Sequence, residues 1–204
     1  MQKLPRALQT VVDRLSKLPG VGPKSALRMG LTLLNWPEDQ VRNLGHSIQT
    51  LRDSVCLCSQ CGCPSDEEPC SICSDPSRRE DLLCLVSDWD ALLTIDEAGF
   101  YKGKFLVLGG LLSPLDGSQV HELNLERLKD RLDSGLVNEL ILALGTTREG
   151  EATESYIVNL VEKNFPHIHI SRLAQGIPVG SELKYMDKET LKQSVNYRQS
   201  LSEK

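Results

Sequence analysis

Six of the seven cysteines lie within eighteen consecutive positions, in the segment CLCSQCGCPSDEEPCSIC at residues 56–73. Cys58 and Cys61 form one CxxC pair, Cys70 and Cys73 form another, and eight residues separate the pairs. Each CxxC turn places two thiolates on one side of a tight loop, and two facing turns supply the tetrahedral four-sulfur shell that zinc prefers. The spacing therefore predicts a zinc knuckle with a structural role, because four thiolates leave no position open for water or a substrate.

Two further cysteines of this segment, Cys56 and Cys63, permit other sets of four ligands. The set above is preferred because it keeps both ligand pairs in CxxC geometry. A thioredoxin-like redox site is the alternative for a CxxC motif, but such a site normally has a single pair near a βαβ unit. Two pairs in a polar loop favour zinc. Cys84, in an apolar segment, is interpreted as a small buried hydrophobe.

A second motif with chemical potential is LPGVGPKSALR at residues 18–28, between two apolar helical segments. Gly20 and Gly22 permit positive φ and leave no Cβ to block the approach of another backbone. Lys24 and Arg28 are four residues apart and share a helical face behind the turn. A DNA phosphate would meet backbone N–H groups and then these two cations, in contacts that do not read sequence.

This pattern is typical of a helix-hairpin-helix, and DNA binding through Gly20, Gly22, Lys24 and Arg28 is the favoured interpretation. A plain helical turn with a solvated basic face is the alternative, and some hairpins of this kind contact proteins instead. We expect DNA affinity through this motif to depend strongly on salt concentration.

Charge is distributed unevenly along the 204 residues, whose formal net charge is −5. Residues 1–54 have a net charge of +4 and the remainder a net charge of −9. A basic head on an acidic body is compatible with nucleic-acid binding by the head. The chain has no apolar run near the roughly 18 residues of a membrane span, and its first residues lack a secretory signal. We expect a cytoplasmic location, where thiols stay reduced.

Hydrophobic periodicity divides the chain into a helical first part and an alternating second part. Three helices are predicted at residues 5–17, from Pro23 onward, and from Pro37 to about residue 55. The third has an apolar face formed by Val41, Leu44, Ile48 and Leu51. Beyond residue 82, buried strands are predicted at LLCLVS, KFLVLGG, ELILAL and HIHIS, with helices around residues 89–98, 123–134, 151–164 and 188–201. Alternating strands and helices predict the α/β class, with a mostly parallel sheet.

The combined motifs LPGVGPKSALR, CSQCG, EEPCSICSDPSRRE, VLGGLLSPLDG, EGEATESYI and GIPVGSEL resemble the bacterial recombination mediator family RecR over nearly the whole chain. The resemblance implies four parts: a helix-hairpin-helix DNA-binding module at 1–54, a C4-type zinc finger at 55–80, a Toprim α/β domain at 81–177, and a short, partly helical C-terminal segment at 178–204. Lys24 and Arg28 match the family's DNA-contacting positions, and the four CxxC cysteines match its zinc ligands.

The resemblance also implies a function in DNA repair through recombination at gaps. Family members act with RecO and RecF to load the recombinase onto single strands, and they assemble as ring-like tetramers. The implied partners are therefore DNA, bound without sequence preference, RecO, RecF and further copies of this chain. The implied location is the nucleoid.

The same resemblance raises the question of catalysis, because Toprim enzymes hold Mg²⁺ with a glutamate after the first strand and an Asp-x-Asp after a later one. Ser87 occupies the glutamate position, a departure from most of the family, and residues 144–146 read Leu-Gly-Thr. Asp88 and Asp90 are interpreted as helix-capping acids; a Mg²⁺ role for Glu151 is the less favoured alternative. We expect no enzymatic activity. The alternatives are a Mg²⁺-dependent Toprim nuclease or primase, and a zinc-stabilised scaffold that binds only proteins.

Overall fold

A computed structural model describes residues 4–113 and 123–200. The end of the motif VLGGLLSPLDG and the last four residues lie outside the described part. The chain divides into two compact units, Met1–Val55 and Cys56–Lys204. Within the described residues, no helix combines the length and apolar character needed to cross a bilayer.

The first unit consists of three helices, α1 (Arg6–Leu15), α2 (Pro23–Asn35) and α3 (Glu38–Ser54). Pro23 opens α2, as predicted, because proline lacks the N–H that would have no partner there. Helices α1 and α2 pack closely at Gly30, where an added Cβ would lie 3.0 Å from Leu8 Cδ1. This contact extends to a small core around Leu8 and Ala26.

Helix α3 forms as predicted, but it buries none of its residues. Its predicted apolar face includes Leu44, Ile48 and Leu51, which are 38%, 66% and 60% exposed. The helical periodicity is confirmed, but the other described elements of this unit leave most of the face exposed. The unit therefore presents an apolar surface.

The elements of the second unit, called the sheet unit below, are β1 (Cys56–Leu57), β2 (Pro64–Ser65), α4 (Ser71–Ser74), β3 (Arg79–Val86), α5 (Trp89–Glu97), β4 (Gly103–Val107), α6 (Leu125–Asp133), β5 (Glu139–Ala143), α7 (Arg148–Asn164), β6 (His169–Arg172), a 3₁₀ turn (Leu183–Tyr185) and α8 (Lys188–Asn196). Strands β1 and β2 form an antiparallel hairpin, and the other four form a parallel sheet of order β4-β3-β5-β6. The predicted α/β class with a parallel sheet is confirmed.

The sheet has a different core on each face, because side chains alternate between faces along a strand. Leu83 and Leu85 of β3 pack with apolar residues of α6 and α7. Cys84 and Val86 pack with Leu92 of α5 and with the buried cysteines of residues 58–73. The cysteine segment is therefore part of the layer that covers one face of the sheet.

Candidate metal centre and nucleic-acid interface

The sulfur atoms of Cys58, Cys61, Cys70 and Cys73 all lie within 4.8 Å of one another, and all four residues are buried. The Cys61 and Cys70 sulfurs are 3.5 Å apart. Zinc–sulfur bonds of about 2.3 Å in a tetrahedron require sulfurs roughly 3.8 Å apart. The four thiols therefore fit a zinc ion with small adjustments, and among the residues that the structure describes they are the one group of three or more metal-binding side chains this close together.

The first pair is shaped by a glycine turn. The Gly62 N–H donates to the Cys58 carbonyl at 2.8 Å, and the Cys63 N–H points to the Cys61 sulfur at 3.4 Å. Gly62 has a φ of +78°, and a Cβ there would lie 2.7 Å from Arg127 Nη1. Glycine is favoured at this position because its left-handed backbone conformation is strained for a residue with a Cβ, whereas the arginine end could move aside.

The second pair lies on a short helical turn, with Cys70 capping α4 and Cys73 within it. The loop between the pairs is fixed by Glu68, whose carboxylate accepts hydrogen bonds from the Ser59 N–H at 3.0 Å and the Ser59 hydroxyl at 2.6 Å. This glutamate connects the loop before the second pair to the turn inside the first pair.

The thiols of the cluster differ in acidity. A hydrogen bond from Cys73, the largest of several causes, lowers the pKa of Cys61 to about 5 and thereby favours its thiolate form. Burial raises the pKa of Cys70 to about 11. A thiolate that accepts hydrogen bonds from its neighbours is suited to exchange their protons for a cation.

The two remaining cysteines of the segment lie outside the four-sulfur group. Cys56 is exposed and donates to the Ser65 carbonyl at 3.1 Å. Cys63 is buried, and burial raises its pKa to about 11, which keeps it a neutral thiol. Cys84 is buried in β3, as predicted, and burial raises its pKa to about 12.

Hydrogen bonds connect the cysteine segment to β4 and α5 on one face of the parallel sheet. The Val107 N–H donates to the Cys61 carbonyl at 2.8 Å. Trp89 Nε1 donates to the Gly62 carbonyl at 2.9 Å. Lys104 Nζ donates to the Cys73 carbonyl at 2.7 Å. Sequence analysis missed these contacts, although one lysine inside the apolar strand KFLVLGG is a signal that a buried partner exists.

The glycine hairpin lies in the first unit. Gly20 has a φ of +76°, so it uses the conformational freedom that the motif predicts. Gly22 has an ordinary φ of −76° and caps α2, and a Cβ there would meet no atom within 4 Å. The described residues give no steric reason for glycine at position 22, although glycine is among the residues favoured at a helix N-cap.

Lys24 and Arg28 are both exposed on α2, one helical turn apart. Helix α2 contains no acidic residue, so no carboxylate on the helix competes for these two cations. Lys24 lies in the first turn, where helix N–H groups without intrahelical partners also attract anions. The arrangement can bind a phosphate next to the turn.

At the carboxyl ends of the strands, the residues occupying the Toprim acidic positions have local roles. Ser87 follows β3, and its hydroxyl donates to Asp88 Oδ2 at 2.8 Å. Asp88 Oδ1 accepts from the Ala91 N–H at 2.9 Å, which confirms the interpretation of Asp88 as the cap of α5. Glu151 lies in the first turn of α7, which begins at Arg148 after the capping residue Thr147.

Four family models match the chain in sequence order. Residues 8–52 match the RecR helix-hairpin-helix, residues 55–75 the RecR four-cysteine zinc finger domain, residues 81–174 a Toprim domain and residues 176–199 the RecR C-terminal model. The zinc-finger match and the proximity of the four thiols together establish zinc as a structural cofactor.

Curated relatives are similar over almost the full length. The "Recombination protein RecR" of Maridesulfovibrio salexigens is 57% identical over 201 residues, and that of Nitratidesulfovibrio vulgaris is 54% identical over 201 residues. Each alignment covers 98% of this chain and 100% of the relative. A relative with the same name from Tropheryma whipplei is 39% identical over 197 residues, 97% of this chain and 98% of its own.

Proposed function

This chain belongs to the RecR family of recombination proteins, and from that membership we propose that it is a non-enzymatic mediator that binds DNA through its hairpin. Its role lies in recombination and repair. The proposed domain limits are 1–54, 55–80, 81–177 and 178–204. Within them, the proposed DNA-contacting residues are Gly20, Gly22, Lys24 and Arg28, and the proposed zinc ligands are Cys58, Cys61, Cys70 and Cys73.

The observation that carries the DNA proposal is the space around Gly22. Within the described residues, a methyl group there would touch no atom, so the backbone of this turn is open to the approach of a partner. Lys24 and Arg28 lie directly behind this turn, exposed on a helix without acids. Two cations and a few backbone donors bind DNA weakly, so tight binding requires several hairpins held in one assembly.

Self-association is supported by the apolar surface of the first unit. A groove of about 520 Å³ is lined by Leu15, Met29, Leu33, Trp36 and Leu44 among other residues. Ile48 and Leu51 extend the exposed apolar surface along α3. A second copy of the chain would cover these side chains, and we propose that pairs formed in this way contribute to a ring-like tetramer.

The proposed partners are RecO and RecF, with which the assembly would load the recombinase at gaps. An assembly that presents several hairpins would hold the DNA, while RecO and RecF act on the single strand that receives the recombinase. Position 87 holds serine where Toprim enzymes have a glutamate, which favours a mediator over a Toprim nuclease or primase. The neighbouring carboxylate, Asp88, caps α5 and accepts a hydrogen bond from Ser87.

Fluorescence anisotropy with single-stranded and gapped oligonucleotides tests the DNA proposal. Lys24→Glu with Arg28→Glu should abolish most binding and reduce the log–log salt slope by about one unit per lost phosphate contact. Gly22→Ala should fold normally and also weaken binding. Arg52→Glu, at the end of α3, is a charge-reversal control for each single variant, Lys24→Glu or Arg28→Glu, and should keep most of the affinity.

Unchanged affinity in the Lys24 and Arg28 variant would exclude the hairpin as the DNA site and support the protein-only scaffold. Native mass spectrometry of the same samples reports subunit count and bound zinc together. A monomer at micromolar concentration would contradict the ring, and protein without zinc would contradict the ligand assignment.

A further inference from the structure

Lys104 is the most deeply buried charged side chain of the described residues, at 1% exposure. It lies on β4, opposite Leu83 of β3. An ammonium removed from water is strongly unfavourable unless hydrogen bonds and opposite charge replace its hydration. The groups that replace the hydration of the Lys104 ammonium therefore indicate its structural role.

Two of these partners are backbone carbonyls, one at the last residue of the cysteine segment and one just beyond it. Lys104 Nζ donates to the Cys73 carbonyl at 2.7 Å and to the Asp75 carbonyl at 3.0 Å. Both carbonyls lie at the end of α4, the turn that carries the second cysteine pair. The lysine thereby fixes that turn to the sheet.

The carboxylate nearest to the ammonium provides little compensation. Glu80 Oε1 is 3.6 Å from Lys104 Nζ, and the Glu80 side chain is 52% exposed and also lies 3.6 Å from Arg131. An ion pair of this length with a solvated acid is weak. The Asp75 carboxylate also attracts Lys104, but its side chain is 37% exposed and pairs with Arg78 at 3.5 Å. A further, buried source of negative charge would lower the cost of burying Lys104.

We propose that Lys104 is a positioning residue for the zinc site, holding the Cys70–Cys73 turn against β4 and supplying the counter-charge to the thiolate centre. The inference rests on the proposed ligand set. Four thiolates outweigh the charge of one zinc ion, so the centre is anionic. The ammonium is hydrogen-bonded to the carbonyl of a ligand residue, which places its charge beside that centre. Each group lowers the cost of burying the other.

The division of contacts supports this role. Val107 and Trp89 donate to carbonyls of the first pair's turn, at Cys61 and Gly62. Lys104 donates to the second pair's turn, and it is the charged member of the three donors. Its loss should therefore release zinc without removing the connections of the first pair.

The test uses full-length, zinc-loaded protein and measures the rate of zinc release to a pyridylazoresorcinol chelator. Lys104→Met should release zinc about 10- to 100-fold faster than the unaltered protein, the usual effect of losing an outer partner of a ligand. Lys104→Arg should restore the rate to within a few-fold. Lys102→Met, which removes an exposed charge two residues away, should release zinc at the original rate.

A second readout separates charge from packing. With Co²⁺ in place of zinc, Lys104→Met should shift the cobalt–thiolate absorption bands, and Lys104→Arg should return them. A folded Lys104→Met protein with the original release rate and spectrum would overturn the proposal. If the unaltered protein contains no zinc, the ligand assignment fails instead.

If Lys104→Met fails to fold, hydrogen exchange on the unaltered protein, with and without zinc, tests the same proposal. Removal of zinc by a chelator should expose the amides of residues 71–75 and 103–107 while β6 stays protected. Unchanged protection of residues 103–107 would show that the strand carrying Lys104 is independent of the metal, and the proposal would be wrong.

Discussion

The N–H of Val107 donates to the carbonyl of Cys61 at 2.8 Å, so the last residue of β4 is bonded directly to a cysteine of the metal cluster. The cysteine segment is therefore packed against the sheet and is not an independently folded module. It shares a core with Phe105 and Leu92 on one face of the sheet. Metal binding should consequently stabilise the sheet unit as well as the knuckle itself.

The hydrogen bond from Trp89 to Gly62 should contribute measurably to this attachment. Trp89→Phe keeps an aromatic ring but removes the Nε1 donor, leaving the Gly62 carbonyl without it. We expect the free energy of unfolding to fall by about 1 kcal/mol, measured by urea denaturation. Trp36→Phe makes the same chemical change in the other unit and should leave the stability of the sheet unit unchanged. Equal stability of both variants would contradict the attachment.

The four-sulfur group predicts which cysteines retain zinc. Cys73→Ser should lose bound zinc, because a hydroxyl is a poor zinc ligand compared with a thiolate. Cys56→Ser should keep it, because Cys56 is exposed and bonded to the Ser65 carbonyl. The zinc content of each purified variant, measured by elemental mass spectrometry, distinguishes these outcomes. Zinc loss in Cys56→Ser would favour one of the alternative ligand sets that the sequence permits.

The sequence was sufficient to predict the features that depend on local spacing. Two CxxC pairs eight residues apart predicted the grouping of the four thiols, because each pair is set by its own turn. The parallel sheet followed from apolar runs separated by helices. These signals depend on neighbouring residues, so they survive without knowledge of the tertiary structure.

The missed features depend on contacts between distant residues. Strand β3 begins at Arg79, before the apolar run at residue 82, because the Arg79 N–H donates to the Lys102 carbonyl at 2.7 Å. The two-residue strands β1 and β2 are too short for a periodic pattern. A lysine is usually exposed, and the burial of Lys104 depends on its contact with the distant Cys73 carbonyl. The pattern of apolar residues along α3 was predicted from the sequence, but this pattern does not indicate which element or partner packs against them.

Close packing between β5 and α7 makes Gly150 sensitive to substitution. A Cβ at Gly150 would lie 2.7 Å from the carbonyl oxygens of both Leu144 and Gly145, and backbone atoms cannot rotate away. Gly150→Ala should therefore destabilise the sheet unit by about 1–3 kcal/mol. Gly45→Ala is the matched control, because a Cβ there meets nothing within 4 Å inside helix α3. It should stabilise that helix by up to about 1 kcal/mol.

Thermal and chemical unfolding of the two glycine variants measure these opposite signs. A neutral Gly150→Ala would show that the loop after β5 moves without cost, which would remove the steric argument for glycine at the start of α7.

Helix α8 depends on Asp187, because it buries none of its residues and has little packing to stabilise it. Asp187 Oδ2 accepts from the Thr190 hydroxyl at 2.6 Å, and Oδ1 accepts from the Glu189 and Thr190 N–H groups, both at 2.9 Å. These bonds, that to the Thr190 hydroxyl first, lower the pKa of Asp187 below its ordinary value. A lowered pKa means that the folded helix prefers the carboxylate. The stabilisation is therefore complete above the ordinary aspartate pKa of about 3.9 and is lost as the pH falls below it.

Amide hydrogen exchange across residues 188–196 should show this loss. Asp187→Ala should fray the helix at neutral pH, because the first N–H groups lose their acceptor. Asp187→Asn keeps an acceptor that does not titrate, so its protection should change less between pH 5 and pH 3 than that of the unaltered protein. Comparing the two proteins at each pH removes the response that other acids and the metal site share. An identical pH response in both would show that the cap does not depend on the charge of Asp187, and the stabilisation would then come from hydrogen-bond geometry alone.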